Sequence, residues 1–219
     1  MRSIEILYGK IVRSLLGVKT STPLYLCLIE AGMQPINDMI LTQRKKFMEK
    51  MADVPDDYPL KFALNLTDNL LCYEMRSFKK YLDFTPQDLQ TIITELSAEK
   101  SRYATYLYLN PSLSQHPVYM SNAIRDSLRI QFSQLMLSSH HLRIETGRWN
   151  RPPTPRDARI CQCGTDIQTE EHVLLRCSRT AQERHRFSVL ASWTFPTMLQ
   201  EMETDSLLNL IARCLDKFL

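Results

Sequence analysis

Apolar residues recur along this chain at intervals of three and four, the period of a helix with one buried side. Ile4, Leu7, Ile11, Val12, Leu15 and Leu16 share such a stripe, and Gly17 follows as a stop. Thr22-Pro23 supplies a cap and a first-turn proline for a helix reaching Ala31, which Gly32 ends. Pro35 opens a third helix, with Ile36, Met39, Ile40, Phe47 and Met51 inward and Arg44, Lys45 and Lys46 outward. VPDDYP, from Val54 to Pro59, reads as a loop. Helical spacing returns from Leu60 to Phe84, interrupted near Asn65 to Asp68. Thr85-Pro86-Gln87-Asp88 is the sharpest helix start in the chain, and the helix it opens is expected to reach about Leu107.

Asn110 to Pro117 reads as a linker. Val118 to Leu137 is predicted helical, with Ile124, Leu128, Phe132 and Leu135 inward and Arg125 and Arg129 outside. GRWNRPPTPRDAR, from Gly147 to Arg159, has three prolines and no periodicity, which predicts an extended, polyproline-like arm. Arg179 to Trp193 reads as helical. Pro196 opens a closing helix toward Leu219, apolar at Leu199, Leu207, Leu208, Leu210, Ile211 and Leu215 and broken near Glu203 to Asp205. No segment alternates with the period of a strand. The expectation is a mainly α chain: a helical connector over 1–138, an arginine and proline arm over 139–160, a cysteine module over 161–190 and a closing helix over 191–219.

The composition is that of a globular protein, with 44% hydrophobic and 23% charged residues. Five glycines against eleven prolines argue against a glycine-rich nucleotide fold. No apolar run approaches the roughly eighteen residues that a membrane span needs, so no membrane partner is expected. Charged residues throughout the N-terminal stripe mark an amphipathic helix rather than a signal peptide, so an intracellular setting is expected. The net charge of +3 resides wholly in residues 101–219. Between Arg143 and Arg159 five arginines face two acids, and the arginine fork suits phosphate oxygens. A solvated loop with chance arginines would give the same local charge.

Six cysteines without a secretory leader do not describe a disulfide scaffold. Cys27, Cys72 and Cys214 each lie alone among apolar neighbours and read as buried thiols. The other three fall with one histidine in seventeen residues: Cys161-x-Cys163-x8-His172-x4-Cys177. Zinc takes four thiolate or imidazole ligands, commonly two from a tight turn and two from a following element. Gly164 lets the chain fold back, and Thr169 caps a short helix carrying Glu170, Glu171 and His172. Two features sit awkwardly. The first pair is separated by one residue instead of two to four, and Cys177 lies about 140° around an ideal helix from His172. Three thiolates and a neutral imidazole leave a bound divalent ion at net −1, which Arg159, Arg176 and Arg179 could offset. A Cys-His nucleophile would need an orienting acid and an oxyanion loop, neither of which is evident. His140-His141 could supply the fourth ligand instead, but that pair reads as an exposed helix end.

The segment LSSHHLRIETGRWNRPPTPRDARICQCGTDIQTEEHVLLRC resembles the C-terminal region of animal non-LTR (LINE-type) retrotransposon reverse transcriptases. Ser139, His141, Leu142, Ile144, Glu145, Gly147 and Arg148 carry the first part of the likeness. Pro155, Arg156, Cys161, Cys163, Glu170, Glu171, His172, Leu174, Leu175 and Cys177 carry the rest. LLGVKTSTP, from Leu15 to Pro23, is similar to the segment between polymerase and zinc region in the same proteins. The resemblance implies a helical connector and a CCHC zinc knuckle that grips template RNA or target DNA, beside the polymerase domain of a parent element. Polymerase activity is not implied for this chain. The catalytic Asp-Asp of that family sits on a hairpin, and the only Asp-Asp here is Asp56-Asp57, inside the proline loop.

The expected function is therefore non-catalytic nucleic-acid binding. Cys161, Cys163, His172 and Cys177 would hold Zn, Arg143, Arg148, Arg151, Arg156 and Arg159 would meet phosphates, and Trp149 would stack. The alternative is a zinc-stabilised structural or protein-interaction scaffold that does not touch nucleic acid.

Overall fold

The structure is a computed structural model that describes residues 2–55, 57–59 and 88–219. The expected helical stretch from Leu60 to Phe84, the Thr85-Pro86 start and Cys72 lie outside the described residues. Among the described residues the protein is mainly α, as the hydrophobic spacing predicts, and the one β-type pairing is an isolated bridge between Ile160 and Ile167.

In chain order the helices are α1 (Arg2–Leu15), α2 (Leu24–Ala31), α3 (Ile36–Ala52), α4 (Leu89–Ser97), α5 (Ser101–Leu109), α6 (Asp126–Met136), the one-turn α7 (Arg143–Thr146), α8 (Ala181–Arg186), α9 (Phe195–Glu201) and α10 (Thr204–Asp216). Two compact units result: residues 1–8 with 34–89, and residues 9–33 with 90–219. In the first, the Tyr8 hydroxyl donates to the Gln34 carbonyl at 2.7 Å, and Asn37 bonds Glu5. Met51 of α3 is buried as expected, whereas Met39 and Phe47 are 41% exposed.

The second unit holds the large core. α10 packs most heavily on α6, and Leu207, Leu208, Leu210, Ile211, Cys214 and Leu215 meet Phe132, Leu135 and Met136 there. Val173, Leu174, Cys161 and Cys177 belong to the same apolar cluster. The predicted stops hold where glycine alone suits the geometry: Gly17 and Gly32 both have φ of 63°, the left-handed conformation that ends helices.

Several helices are shorter than expected. The one predicted from Thr85 to Leu107 is two in its described part, α4 and α5, separated at residues 98–100. The helix predicted from Val118 begins only at Asp126. Residues 117–119 form a 3-10 turn, and Arg129 folds back onto the carbonyls of Ser121 (2.6 Å) and Ile124 (3.0 Å), satisfying a loop that the helix would otherwise have absorbed. Arg179 to Trp193 is α-helical only over Ala181–Arg186, preceded by a 3-10 turn at Ser178–Thr180. The closing segment divides at the predicted polar break, where the Glu203 carboxylate accepts from the backbone N–H groups of Asp205 (3.1 Å) and Ser206 (2.9 Å) and starts α10.

Candidate metal centre

The segment from Ile160 to Ile167 doubles back on itself. Cys161 N–H donates to the Asp166 carbonyl at 2.7 Å and Gly164 N–H to the Cys161 carbonyl at 2.9 Å. Gly164 has φ of 79° and open space around it, so its role is conformational. This tight reversal carries both sulfurs of the closely spaced pair. Thr169 then caps the next turn, its hydroxyl accepting from His172 N–H at 3.1 Å, as the sequence predicts.

From His172 to Arg176 the chain is a π-turn and not an α-helix. Cys177 N–H donates to the His172 carbonyl at 2.7 Å, five residues back, and Cys177 itself is extended, with φ −63° and ψ 132°. That geometry removes the 140° mismatch of an ideal helix, because an i→i+5 bond sets residue 177 above residue 172. It also deprives the Val173 carbonyl of its ordinary partner. The buried Thr180 hydroxyl takes that place, donating at 2.6 Å.

The result brings Cys161, Cys163, His172 and Cys177 together, with their ligand atoms all within 4.8 Å of one another, so the four can hold a metal ion. Cys161 Sγ lies 3.7 Å from Cys177 Sγ, and Cys163 Sγ lies 3.2 Å from His172 Nε2. His172 Nδ1 is buried without a hydrogen-bond partner, and Asp166 Oδ2 stands 3.9 Å away. An imidazole bound through Nε2 would leave its Nδ1–H directed at that carboxylate, the usual arrangement behind a metal-ligating histidine. The thiols differ. Bonds from the Thr165 hydroxyl and backbone pull Cys163 down to about 6, whereas burial pushes Cys177 up to about 11.

The arginines expected to offset the thiolates are engaged elsewhere. Arg176 pairs with Glu171 at 2.8 Å, and Arg179 donates to the Lys217 carbonyl at 3.3 Å. Arg159 sends its Nε and Nη2 to the Thr154 carbonyl (2.9 and 2.7 Å) and its Nη1 to the Ile144 carbonyl (2.7 Å). Those bonds, with Thr154 N–H on the Gly147 carbonyl (2.9 Å), fold the arm into a closed loop where an extended strand was expected. A fork with several donors and no acceptor gathers loop carbonyls that prolines leave unpaired. Gly147 is required at the crossing: a Cβ there would stand 2.7 Å from Arg159 Nε and 2.9 Å from the Arg143 carbonyl.

Arg143 Nη1 donates to the Ile160 carbonyl at 2.8 Å. Arg148 and Arg102 both reach the buried Glu145, at 3.3 and 3.1 Å, and the Arg102 guanidinium also lies 5.4 Å from the centre of the half-exposed Trp149 ring. Arg151 and Arg156 are exposed.

His140 and His141 are not the exposed pair predicted. His140 is 2% exposed: its Nδ1 accepts from Leu142 N–H, and its Nε2 donates to Glu170 at 2.7 Å. Burial raises the Glu170 carboxyl, but the hydrogen bond from His140 leads the effects that outweigh it and hold the group below its ordinary value. His141 Nε2 donates to the Leu215 carbonyl at 3.1 Å. His140 thus joins the turn after α6 to the segment that carries His172, and His141 joins that turn to α10, roles for which single histidines carry no local sequence signal.

A groove of ≈ 930 Å³ adjoins the centre, lined by α5, the arm and the metal segment. Tyr108, Thr105, Arg148, Arg156, Arg176 and His172 are among its walls. Tyr108 is 53% exposed there, whereas Tyr103 and Tyr106 are buried. Four acidic residues also line it, three of them already engaged: Glu145 by Arg102 and Arg148, Glu170 by His140, and Glu171 by Arg176.

Fold and site together define a helical protein whose core is joined to a Cys-Cys-His-Cys cluster able to hold a metal ion. Comparison with protein-family models, curated proteins and solved structures finds no match for this chain.

Proposed function

We propose that the chain is a non-catalytic nucleic-acid-binding module stapled by one zinc ion, as its resemblance to the C-terminal region of non-LTR reverse transcriptases implies. The observation that carries this reading is the convergence of three sulfurs and one imidazole within 4.8 Å, next to an arginine-bearing groove. Metal–sulfur bonds of about 2.3 Å directed tetrahedrally put sulfurs about 3.8 Å apart, a spacing that suits zinc bound by thiolates. The Cys161–Cys177 separation of 3.7 Å is compatible with such bonds and supports the reading. Zinc supplies no chemistry to a substrate here; four protein ligands close its coordination sphere, as in structural sites.

Exposed Arg151 and Arg156 meet phosphates, with Arg143 and Arg148 beside them, and Trp149 and Tyr108 offer exposed rings to unpaired bases. Arg159 supports the loop more than the ligand, since its fork is already spent on carbonyls. The partner is single-stranded RNA or DNA, whose bases are free to stack.

The test is a titration of the zinc-loaded chain against labelled single-stranded RNA at several salt concentrations. Affinity should fall steeply with salt, and Arg156→Ala should weaken binding of all sequences while reducing the logarithmic salt slope by about 0.7. Binding that ignores salt between low and physiological concentration would refute the reading.

The second reading, zinc as a staple for a protein-binding scaffold, is favoured by the embedding of Cys161 and Cys177 in the apolar core. It predicts one bound zinc and no RNA binding at any salt concentration.

A further inference from the structure

Gln168 is buried, 2% exposed, and its side chain bridges α7 and Cys161. Its Oε1 accepts from Arg143 N–H at 2.8 Å, at the start of α7. A backbone N–H can only donate, so this bond fixes the orientation of the amide: oxygen toward Arg143, NH2 toward the other side. On that side Nε2 lies 3.8 Å from Cys161 Sγ, near enough to donate to sulfur. The backbone of the same residue is held at both ends, its N–H on the Arg159 carbonyl (2.9 Å) and its carbonyl receiving Ile144 N–H (3.3 Å). Gln168 therefore has one free act left, to direct an N–H at a ligand sulfur.

We infer that Gln168 is a positioning residue for the metal centre: it orients Cys161 and stabilises its thiolate by an N–H···S hydrogen bond. The inference rests on the metal reading above. Arg159, Arg176 and Arg179 are engaged elsewhere, so a neutral amide supplies the donor that charge was expected to supply. A donor bonded to a ligand both orients it and withdraws electron density from it, and losing such a partner typically costs about 10–100-fold in metal affinity.

The experiment uses the full chain and compares wild type with Gln168→Glu and Gln168→Met, reading zinc affinity by chelator competition and the sulfur-to-cobalt charge-transfer band after cobalt substitution. Glu keeps the acceptor for Arg143 N–H but faces Cys161 with a negative oxygen. Met keeps the length and loses both bonds. An N–H···S role predicts affinity in the order wild type, Met, Glu, with Glu about 100-fold weaker, and a charge-transfer band shifted to longer wavelength in both variants. A purely supporting role predicts the reverse order for the variants, because Glu preserves the strut to α7, and an unmoved band. That reverse order, or affinities and spectra equal to wild type, would overturn the inference. Should Gln168→Glu fail to fold, Gln168→Met decides alone, by a shifted band with weaker binding or by neither. A wild-type chain that takes up no metal rejects the metal reading itself, which separates the two failures.

Discussion

Single residues carry most of the chemistry that distinguishes this protein. Glu30 is completely buried, with one carboxylate oxygen accepting from Tyr106 at 2.7 Å and the other left without a partner. Burial, only partly offset by the Tyr106 hydroxyl, raises it to about 7. The folded chain thus keeps a proton that the unfolded chain releases. This group's contribution to stability is complete below about 4.5 and is lost as the pH rises through about 7, at no more than about 1.4 kcal/mol per pH unit. Denaturant melts from pH 4 to 8 should show that loss in wild type and not in Glu30→Gln; parallel curves would contradict it. Gly147 is the other informative residue. Gly147→Ala drives a methyl group into Arg159 and the Arg143 carbonyl, and should destabilise by about 1–3 kcal/mol, measured by urea unfolding of the metal-loaded chain. An unchanged midpoint would mean that the loop has slack that its distances do not suggest.

Among the elements, the π-turn decides whether the Cys-Cys-His-Cys cluster forms. Spacing alone placed Cys177 on the wrong side of a helix, and the awkward arithmetic was correct for an α-helix. Tertiary packing selected another turn, in which Cys177 N–H skips Val173 and bonds His172, while Thr180 replaces the lost partner of the Val173 carbonyl. Thr180→Val keeps the shape and removes the hydroxyl. It should cost about 1–3 kcal/mol by leaving a buried carbonyl unpaired, and should weaken binding of the proposed zinc ion at the same time. Thermal melts with and without metal, together with chelator competition, check both effects; a loss of stability without a loss of affinity would separate Thr180 from the centre. The burial of His140 escapes local spacing for a related reason. His140 pairs with Glu170 thirty residues away, a partner that no local pattern designates.

For the molecule as a whole, Cys161 and Cys177 are part of the same apolar cluster as α6 and α10. Metal bound there is coupled to the core and not confined to a peripheral knuckle. Chelation should therefore lower the melting transition of the unit formed by residues 9–33 and 90–219, by about 2–4 °C for each kcal/mol of binding energy lost. Calorimetry with and without chelator measures it, and an unshifted transition would confine the metal to a local role. The same coupling makes hydrogen exchange in α10 a second readout, since α10 packs on the π-turn.

The local code was sufficient for the helical class, the glycine stops at Gly17 and Gly32, the cap at Thr169, the break before α10 and the four residues of the Cys-Cys-His-Cys cluster. Each depends on interactions within a few positions of chain, which sequence displays directly. Tertiary structure alone decided the closure of the arginine loop around Gly147, the π-turn, the burial of His140 and the bridge from Gln168 to Cys161. Each of those joins residues whose partners are chosen by packing, because a buried donor or acceptor takes whichever group the fold brings within reach.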